Sequence, residues 1–316
     1  MKLSPYMNLD RIEFVVTYQC SGRCKHCSLG HDLNRADGPP HIDPVYAVRA
    51  IERLAELFPI TSVMTFGGEP LLYADVVSAI HAAATRCGIG ARQLITNGYF
   101  TKSDDRRLQV AADLQKAGVN NLLLSVDVFH QEAIAVAEVH AFARHLVEAG
   151  LPDVSLQPAW VVNRGHDNPY NAKTEELLAL FGDLSIPVSG GNDIFMAGNA
   201  AENLADYYDK PCLNMADTCG SMPYTEPLDD ITSLSLVPNG DVMICGFAIG
   251  NIYNEDIGDI VARYNPHENP WMAALLKGGV GDLVRLAQEK GVMVDTAGCY
   301  SVCGVCRQIT QKIANH

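Results

Sequence analysis

Three cysteines, Cys20, Cys24 and Cys27, fall in Cys-Ser-Gly-Arg-Cys-Lys-His-Cys directly after the apolar stretch Ile12–Val16. On a loop, this spacing lets one segment wrap three corners of an iron–sulfur cube, which a regular strand cannot do. The fourth iron is then left open to bind and cleave a small molecule. A second apolar stretch ends in Gly67-Gly68-Glu69-Pro70. Its glycines permit close backbone approach and unusual φ angles, and Glu69 can brace the turn by accepting backbone hydrogen bonds. A structural zinc site also uses closely spaced cysteines, with His26 or His31 as a further ligand. Zinc gives no reason for the Gly-Gly-Glu-Pro turn.

The chain has 10 cysteines, and six of them return late, as Cys212, Cys219, Cys245, Cys299, Cys303 and Cys306. Only Cys87 stands apart, and it reads as a small buried hydrophobe. The N-terminus carries no long apolar region of the kind that directs export, so a cytoplasmic location is expected. In that setting the cysteines point to metal or redox chemistry rather than to disulfides. Gly240, followed at Gly-x4-Cys spacing by Cys245, reads as a hairpin turn leading into a strand that ends in a ligand. Four of the six late cysteines would complete one closed cluster. Alternatively, Cys212, Cys219 and Cys245 join one late cysteine, or the site holds zinc.

With 316 residues, 48% of them hydrophobic and 19% charged, the composition is that of an ordinary globular protein. The formal net charge of −14 argues against a nucleic-acid partner. No segment approaches the length of a membrane span.

The elements that must position these cysteines alternate in type. Strands are expected at Ile12–Thr17, Thr61–Phe66, Arg92–Thr96, Asn121–Val126, Val154–Val161 and Pro187–Ser189. Helices are expected at Pro44–Phe58, Ala74–Cys87, Asp104–Ala117, Gln131–Ala149 and Thr174–Phe181. Repeated βα units imply a parallel sheet covered by helices. In βα barrels the site forms at the carboxyl ends of the strands. Cys20, Gly67, Asn97, Ser125, Asp127 and Gln157 all fall at or near such ends. Asp127 and His130, in Asp127-Val128-Phe129-His130, are the candidate proton-transfer residues. Tyr18, Tyr99 and Tyr224 are candidate cavity residues. After about Ala201 helical periodicity weakens, and residues 201–316 read as a second, cysteine-rich domain following a first at 1–200.

Cys-x3-Cys-x2-Cys after the first strand, with Gly-Gly-Glu-Pro after the second, resembles the radical S-adenosylmethionine (radical SAM) superfamily. The resemblance implies an α/β fold, a partial (β/α)6 TIM-like barrel. It implies a [4Fe–4S] cluster on Cys20, Cys24 and Cys27 whose open iron chelates SAM. Contacts to SAM are then expected from Gly67, Gly68, Glu69, Pro70, Asn97, Ser125, Asp127 and Gln157. Met196-Ala197-Gly198-Asn199-Ala200 resembles a Gly-Arg-Ala segment of the family, with Asn199 in place of the basic residue. The C-terminal segment resembles the SPASM and twitch extensions, which hold auxiliary iron–sulfur clusters, and at least one auxiliary [4Fe–4S] cluster is expected. Only Cys299-x3-Cys303-x2-Cys306 follows the SPASM order, so that match is partial. The implied function is reductive cleavage of SAM and hydrogen abstraction from a substrate. Maturation of a ribosomally made peptide ranks first and a small-molecule dehydrogenase or rearrangement enzyme second. The expected electron donor is a flavodoxin or ferredoxin. The reading of another class is a non-catalytic iron–sulfur electron carrier.

Overall fold

The computed structural model describes residues 2–30, 38–220 and 225–313; His31 and Tyr224 lie outside the described residues. In chain order the first half runs β1 (Met7–Thr17), α1 (Pro44–Leu57), β2 (Ser62–Gly67), α2 (Ala74–Arg86), β3 (Ala91–Thr96), α3 (Asp104–Ala117) and β4 (Asn121–Ser125). There follow α4 (Val128–Gln131), α5 (Val136–Glu148), β5 (Val154–Gln157), β6 (Ala159–Trp160), α6 (Pro169–Ala179), β7 (Asn192–Asp193) and α7 (Asn199–Asn203). The last part comprises β8 (Ile231–Leu236), β9 (Asp241–Ile244), β10 (Phe247–Asn251), α8 (Ile257–Ala262), α9 (Pro270–Glu289) and α10 (Val302–Ile313).

Strands β1 to β5 lie side by side and parallel. Their inward residues, such as Leu9, Phe14, Val63, Leu94 and Leu124, are buried against α1, α2, α3 and α5. The helices start and stop where their sequences direct. Asp43 caps α1 by accepting the Val45 N–H, Ser103 caps α3, and Gly118 ends α3 with φ +89°. Each βα unit thus delivers its strand end to one rim, the fold that the sequence implies.

The sixth strand of the expected barrel is reduced to a single parallel bridge, Leu156 to Val188. The expected strand over 154–161 divides into β5 and β6 at Pro158, which has no N–H to donate to a ladder. β6 then pairs with β7 in a separate two-stranded sheet. The helix expected from Gln131 is also divided. Asp127 starts the short α4, and α5 begins only at Val136.

On the other side of β1 the C-terminal segment extends the same sheet, in the order β10-β9-β8-β1. β8 runs parallel to β1, while β9 and β10 return as antiparallel hairpins. The larger apolar core cluster reaches from Met7 to Ile309, and a second, smaller one gathers Phe129, Val161 and Ile194 beside Cys24. Helical order there is stronger than the sequence periodicity suggests. The pattern of α9 is broken by Gly278 and Gly279, whose backbone leaves helical geometry inside the element. No described helix is long and apolar enough to cross a membrane.

Candidate functional site

The β1–β2 register sets Thr17 opposite Gly67 at the strand ends. The chain after β1 then crosses the Gly-Gly-Glu turn, and the two backbones bond directly. Gly68 N–H donates to Thr17 O at 2.7 Å and Glu69 N–H to Gln19 O at 2.8 Å. A Cβ on Gly68 would stand 2.0 Å from the Gln19 carbonyl oxygen, so only glycine fits this crossing. Glu69 is fully buried and turns inward. Its Oε1 accepts from Leu71 N–H and the Thr96 hydroxyl, and its Oε2 from Asn97 N–H. Burial pushes its carboxyl up to about 7 against the pull of these donors. Glu69 therefore ties the β2 turn to the end of β3.

The cysteine loop sits on this brace. An added Cβ at Gly22 would lie 3.3 Å from Cys24 Sγ and 3.6 Å from Cys20 Sγ, so both sulfurs turn toward one point. Gly22 N–H donates to Cys20 Sγ at 3.3 Å, and Asn97 Nδ2 reaches the same sulfur at 3.7 Å. Burial pushes the Cys20 thiol up to about 11. Such a thiol needs a metal to become a ligand thiolate. Asn199 fastens the loop from the far side. Its backbone N–H donates to Cys27 O at 3.0 Å and its Nδ2 to Cys24 O at 3.2 Å. The basic residue of the Gly-Arg-Ala pattern is thus replaced here by an amide that bonds the loop backbone. Three cysteines on one braced loop, with the Cys20 and Cys24 sulfurs turned to the same point, fit a cluster that leaves one iron open.

Asp127 is fully buried, and its role in the fold differs from the expected proton transfer. It caps α4 by accepting the Phe129 and His130 N–H groups at 3.0 Å each. Its other oxygen accepts the Ala159 N–H at 3.2 Å and meets His130 Nδ1 at 2.8 Å. Burial opposes its charge, but His130 and these bonds hold its carboxyl down to about 2. A carboxylate so bonded positions His130. His130 in turn lies against Cys24, and its imidazole is held well above its ordinary range by Asp127 and by Cys24, against the effect of burial. His26 packs on the rings of Phe129 and His130 at 4.9 Å each, and burial lowers it to about 4. Ligand atoms of Cys24, His26 and His130 lie within 4.8 Å of one another. A zinc ion held by that trio would leave Cys20 and Cys27 unused.

Ser125 and Gln157 stand in register at the ends of β4 and β5. Ser125 is buried, and Gln157 Oε1 accepts the Ser189 hydroxyl. Pro70 is buried and opens a 3-10 turn behind the Gly-Gly-Glu segment, on the side away from the rim.

The six late cysteines do not all meet. Cys219, Cys245, Cys303 and Cys306 act on one another electrostatically and share one cavity wall. Each comes from a different local cause. Cys303 and Cys306 are one turn apart on α10. Cys245 and Gly246 form the two-residue turn between β9 and β10, with Cys245 at φ +50°, a left-handed position that costs a non-glycine residue about 1 kcal/mol. A Cβ on Gly246 would lie 2.6 Å from the Thr310 hydroxyl, so glycine lets this turn seat on α10. At the break in α9, Val280 N–H and Gly281 N–H donate to Asp217 O and Met215 O at 3.0 and 2.7 Å, which anchors the segment leading to Cys219.

Burial pushes the Cys219 thiol up to about 12 and Cys245 to about 11, and raises Cys306 as well. Zinc–sulfur bonds of about 2.3 Å would bring tetrahedral sulfurs to about 3.8 Å. Among the described residues these cysteines form no group whose sulfurs all approach within 4.8 Å. A cubane cluster, which holds its thiolates further apart, fits the quartet better. Cys212 and Cys299 are not among the residues lining that cavity wall. Cys299 is turned aside, its sulfur accepting from Gln308 Nε2 at 3.1 Å and facing Asp295 O at 3.4 Å.

A cavity of about 1310 Å³ joins the two regions. Tyr18 and Gln19, which lead into Cys20, line one side, and the four cysteines and the α10 residues Arg307 and Gln308 line the other. Tyr99 is not among its lining residues. The cysteine quartet and the α10 face were legible only in part beforehand, through the spacing of Cys303 and Cys306 and the Gly-x4-Cys turn that leads to Cys245.

Together these features define an α/β protein with three cysteines on a braced loop at the carboxyl rim of a parallel sheet. Residues 14–157 match the Radical SAM superfamily, and the chain carries a radical SAM domain. The cofactors of that superfamily are a [4Fe–4S] cluster and SAM. The chain is 31% identical over 126 residues to a GTP 3',8-cyclase of Rhodopirellula baltica, covering 39% of this chain and 32% of that protein. It is 32% identical over 139 residues to the GTP 3',8-cyclase of Mycolicibacterium smegmatis, covering 44% and 35%. The chain thus spans about a third of the length of these relatives. Among solved structures, a hexahistidine-tagged anSMEcpe with bound AdoMet shares the fold at a TM-score of 0.50 and 13% identity, over 83% of this chain and 79% of that one.

Proposed function

We propose that this protein is a radical SAM enzyme acting on a small molecule, with a second iron–sulfur cluster on Cys219, Cys245, Cys303 and Cys306. The observation that carries this reading is the cavity shared by the quartet and by the residues leading into Cys20. Cys20, Cys24 and Cys27 would hold the first cluster, with residues 1–200 as its barrel and 201–316 as the auxiliary domain. When bound, the first cluster and SAM supply a 5′-deoxyadenosyl radical that takes a hydrogen atom from substrate. The chain's own contribution is placement. Gly67 and Gly68 bring the turn under the loop, Glu69 locks it, and Asn199 holds the loop backbone.

Substrate would lie in the cavity between the centres, where the quartet along its wall is placed to exchange an electron with it. The names of the curated relatives favour a small molecule over the peptide that the sequence ranks first. A flavodoxin or ferredoxin is the expected reductant. A carrier without catalysis would have no use for the braced Gly-Gly-Glu turn.

The test is anaerobic incubation of reconstituted protein with SAM and a strong reductant. The enzyme forms 5′-deoxyadenosine and a Cys20/Cys24/Cys27→Ala triple variant does not, while keeping iron in the quartet. Absence of 5′-deoxyadenosine from the wild type overturns the enzyme reading, and its persistence in the triple variant overturns the assignment of the loop.

A further inference from the structure

The side chain of Asn97 is committed in a way that its expected contact with SAM does not explain. It lies at the end of β3 and is 5% exposed. Its Oδ1 accepts the Tyr99 N–H at 2.9 Å, which fixes which end of the amide faces the loop. Its Nδ2 then has two hydrogens to place. One meets Ser21 Oγ at 3.2 Å and the other points at Cys20 Sγ at 3.7 Å. The Asn97 backbone is held separately, by Glu69 Oε2 at 2.8 Å. The amide is therefore aimed at Cys20 by its bonds to Tyr99 and Ser21, neither of which depends on a ligand.

From this geometry we infer that Asn97 is a positioning residue that sets the reduction potential of the SAM-cleaving cluster through an N–H···S bond to Cys20. The inference rests on Cys20 being a ligand of that cluster, as proposed above. Cys20 already accepts the Gly22 N–H at 3.3 Å. Its sulfur thus faces two N–H donors, from Gly22 and from Asn97. Hydrogen bonds to a ligating sulfur stabilise the extra negative charge of the reduced cluster and raise its potential. Removing the amide therefore makes the cluster harder to reduce. Asn97 needs no contact with SAM to act in this way, and the effect must already be present before SAM is added.

The experiment is EPR-monitored potentiometry of the reconstituted full chain. The relevant cluster is the one whose reduced signal changes when SAM is added. Asn97→Ala should lower its midpoint, so that at a fixed potential near the wild-type midpoint the reduced-to-oxidised ratio falls up to tenfold, ~59 mV for one electron. Iron per chain should stay at the wild-type value. Asn97→Asp keeps the acceptor for Tyr99 and the side-chain shape but sets a carboxylate oxygen where the donor was, and should lower the midpoint further. It serves as the measurement if the alanine variant does not hold iron. An unchanged midpoint in an iron-replete variant overturns the inference. Weaker SAM binding with an unchanged midpoint also overturns it and returns Asn97 to a substrate-side contact. A wild type with no SAM-responsive signal defeats the underlying reading of the loop instead, a result separate from either.

Discussion

Replacing Gly68 by alanine should damage the cysteine loop itself, ahead of any effect on SAM. The added Cβ would lie 2.0 Å from the Gln19 carbonyl oxygen, 2.6 Å from the Gln19 carbonyl carbon and 3.1 Å from the Tyr18 carbonyl carbon. All three are backbone atoms of the segment entering Cys20, so no side-chain rotation relieves the contact. Separation to an ordinary carbon–oxygen contact requires about 1.5 Å of main-chain movement. That movement also stretches the Gly68-to-Thr17 and Glu69-to-Gln19 hydrogen bonds. Overpacking of this kind costs about 3 kcal/mol, or about 6 °C of melting temperature in a chain this long. The comparison variant is Gly150→Ala, where φ is +74° but nothing lies within 4 Å of the new Cβ. Backbone strain alone should cost it about 1 kcal/mol. The assay is thermal unfolding of the iron-free protein, followed by iron content after reconstitution. Gly68→Ala should unfold well below Gly150→Ala and take up less iron. If it unfolds within 1 °C (about 0.5 kcal/mol) of wild type with full iron, the steric reasoning is refuted.

Three further outcomes follow from the same geometry. Single alanine variants at Cys219, Cys245, Cys303 and Cys306 should each lower iron from about eight per chain toward four, whereas Cys212→Ala and Cys299→Ala should leave it unchanged; iron and sulfide analysis decides. Glu69, raised to about 7 from its ordinary 4.5, holds its proton more tightly folded than unfolded. Its contribution is therefore full below about pH 4.5 and is lost as pH rises to about 7. Relative to Glu69→Gln, wild-type iron-free protein should lose up to about 3 kcal/mol across that window in denaturant titrations, and a flat difference would contradict the buried, proton-bearing brace. Asp127→Ala removes the cap of α4 and three N–H acceptors and should cost about 2–3 kcal/mol in the same titrations; a loss below 0.5 kcal/mol (about the effect of an ordinary surface substitution) would show that the cap is dispensable.

Much of the barrel was legible because its signals are local. Asp43 and Ser103 start helices with their own side chains, Gly118 stops one at positive φ, and apolar periodicity marks the faces between. Glu69 was legible as a brace because a short acidic side chain after two glycines has backbone donors within reach. The capping role of Asp127 was not legible, because a strand-end aspartate looks the same in sequence whether it caps a helix or faces a substrate. Its burial and its four partners come from α4 and β6 together.

The clearest division lies in the cysteines. The spacing Cys-x3-Cys-x2-Cys occurs twice, at Cys20, Cys24 and Cys27 and again at Cys299, Cys303 and Cys306. By itself the sequence determined the first set, since a strand, a loop and a glycine turn on the next strand suffice to place it. In the second set Cys303 and Cys306 lie on α10 and share its face, while Cys299 precedes the helix and is drawn aside by Gln308 and Asp295. Its place is taken by Cys219 and Cys245, far away in sequence, brought in by the break in α9 and by the β9–β10 turn seated on Thr310. Those contacts join segments tens of residues apart, and no local pattern encodes them. Only the packed tertiary structure decided which four of the late cysteines share one cavity wall.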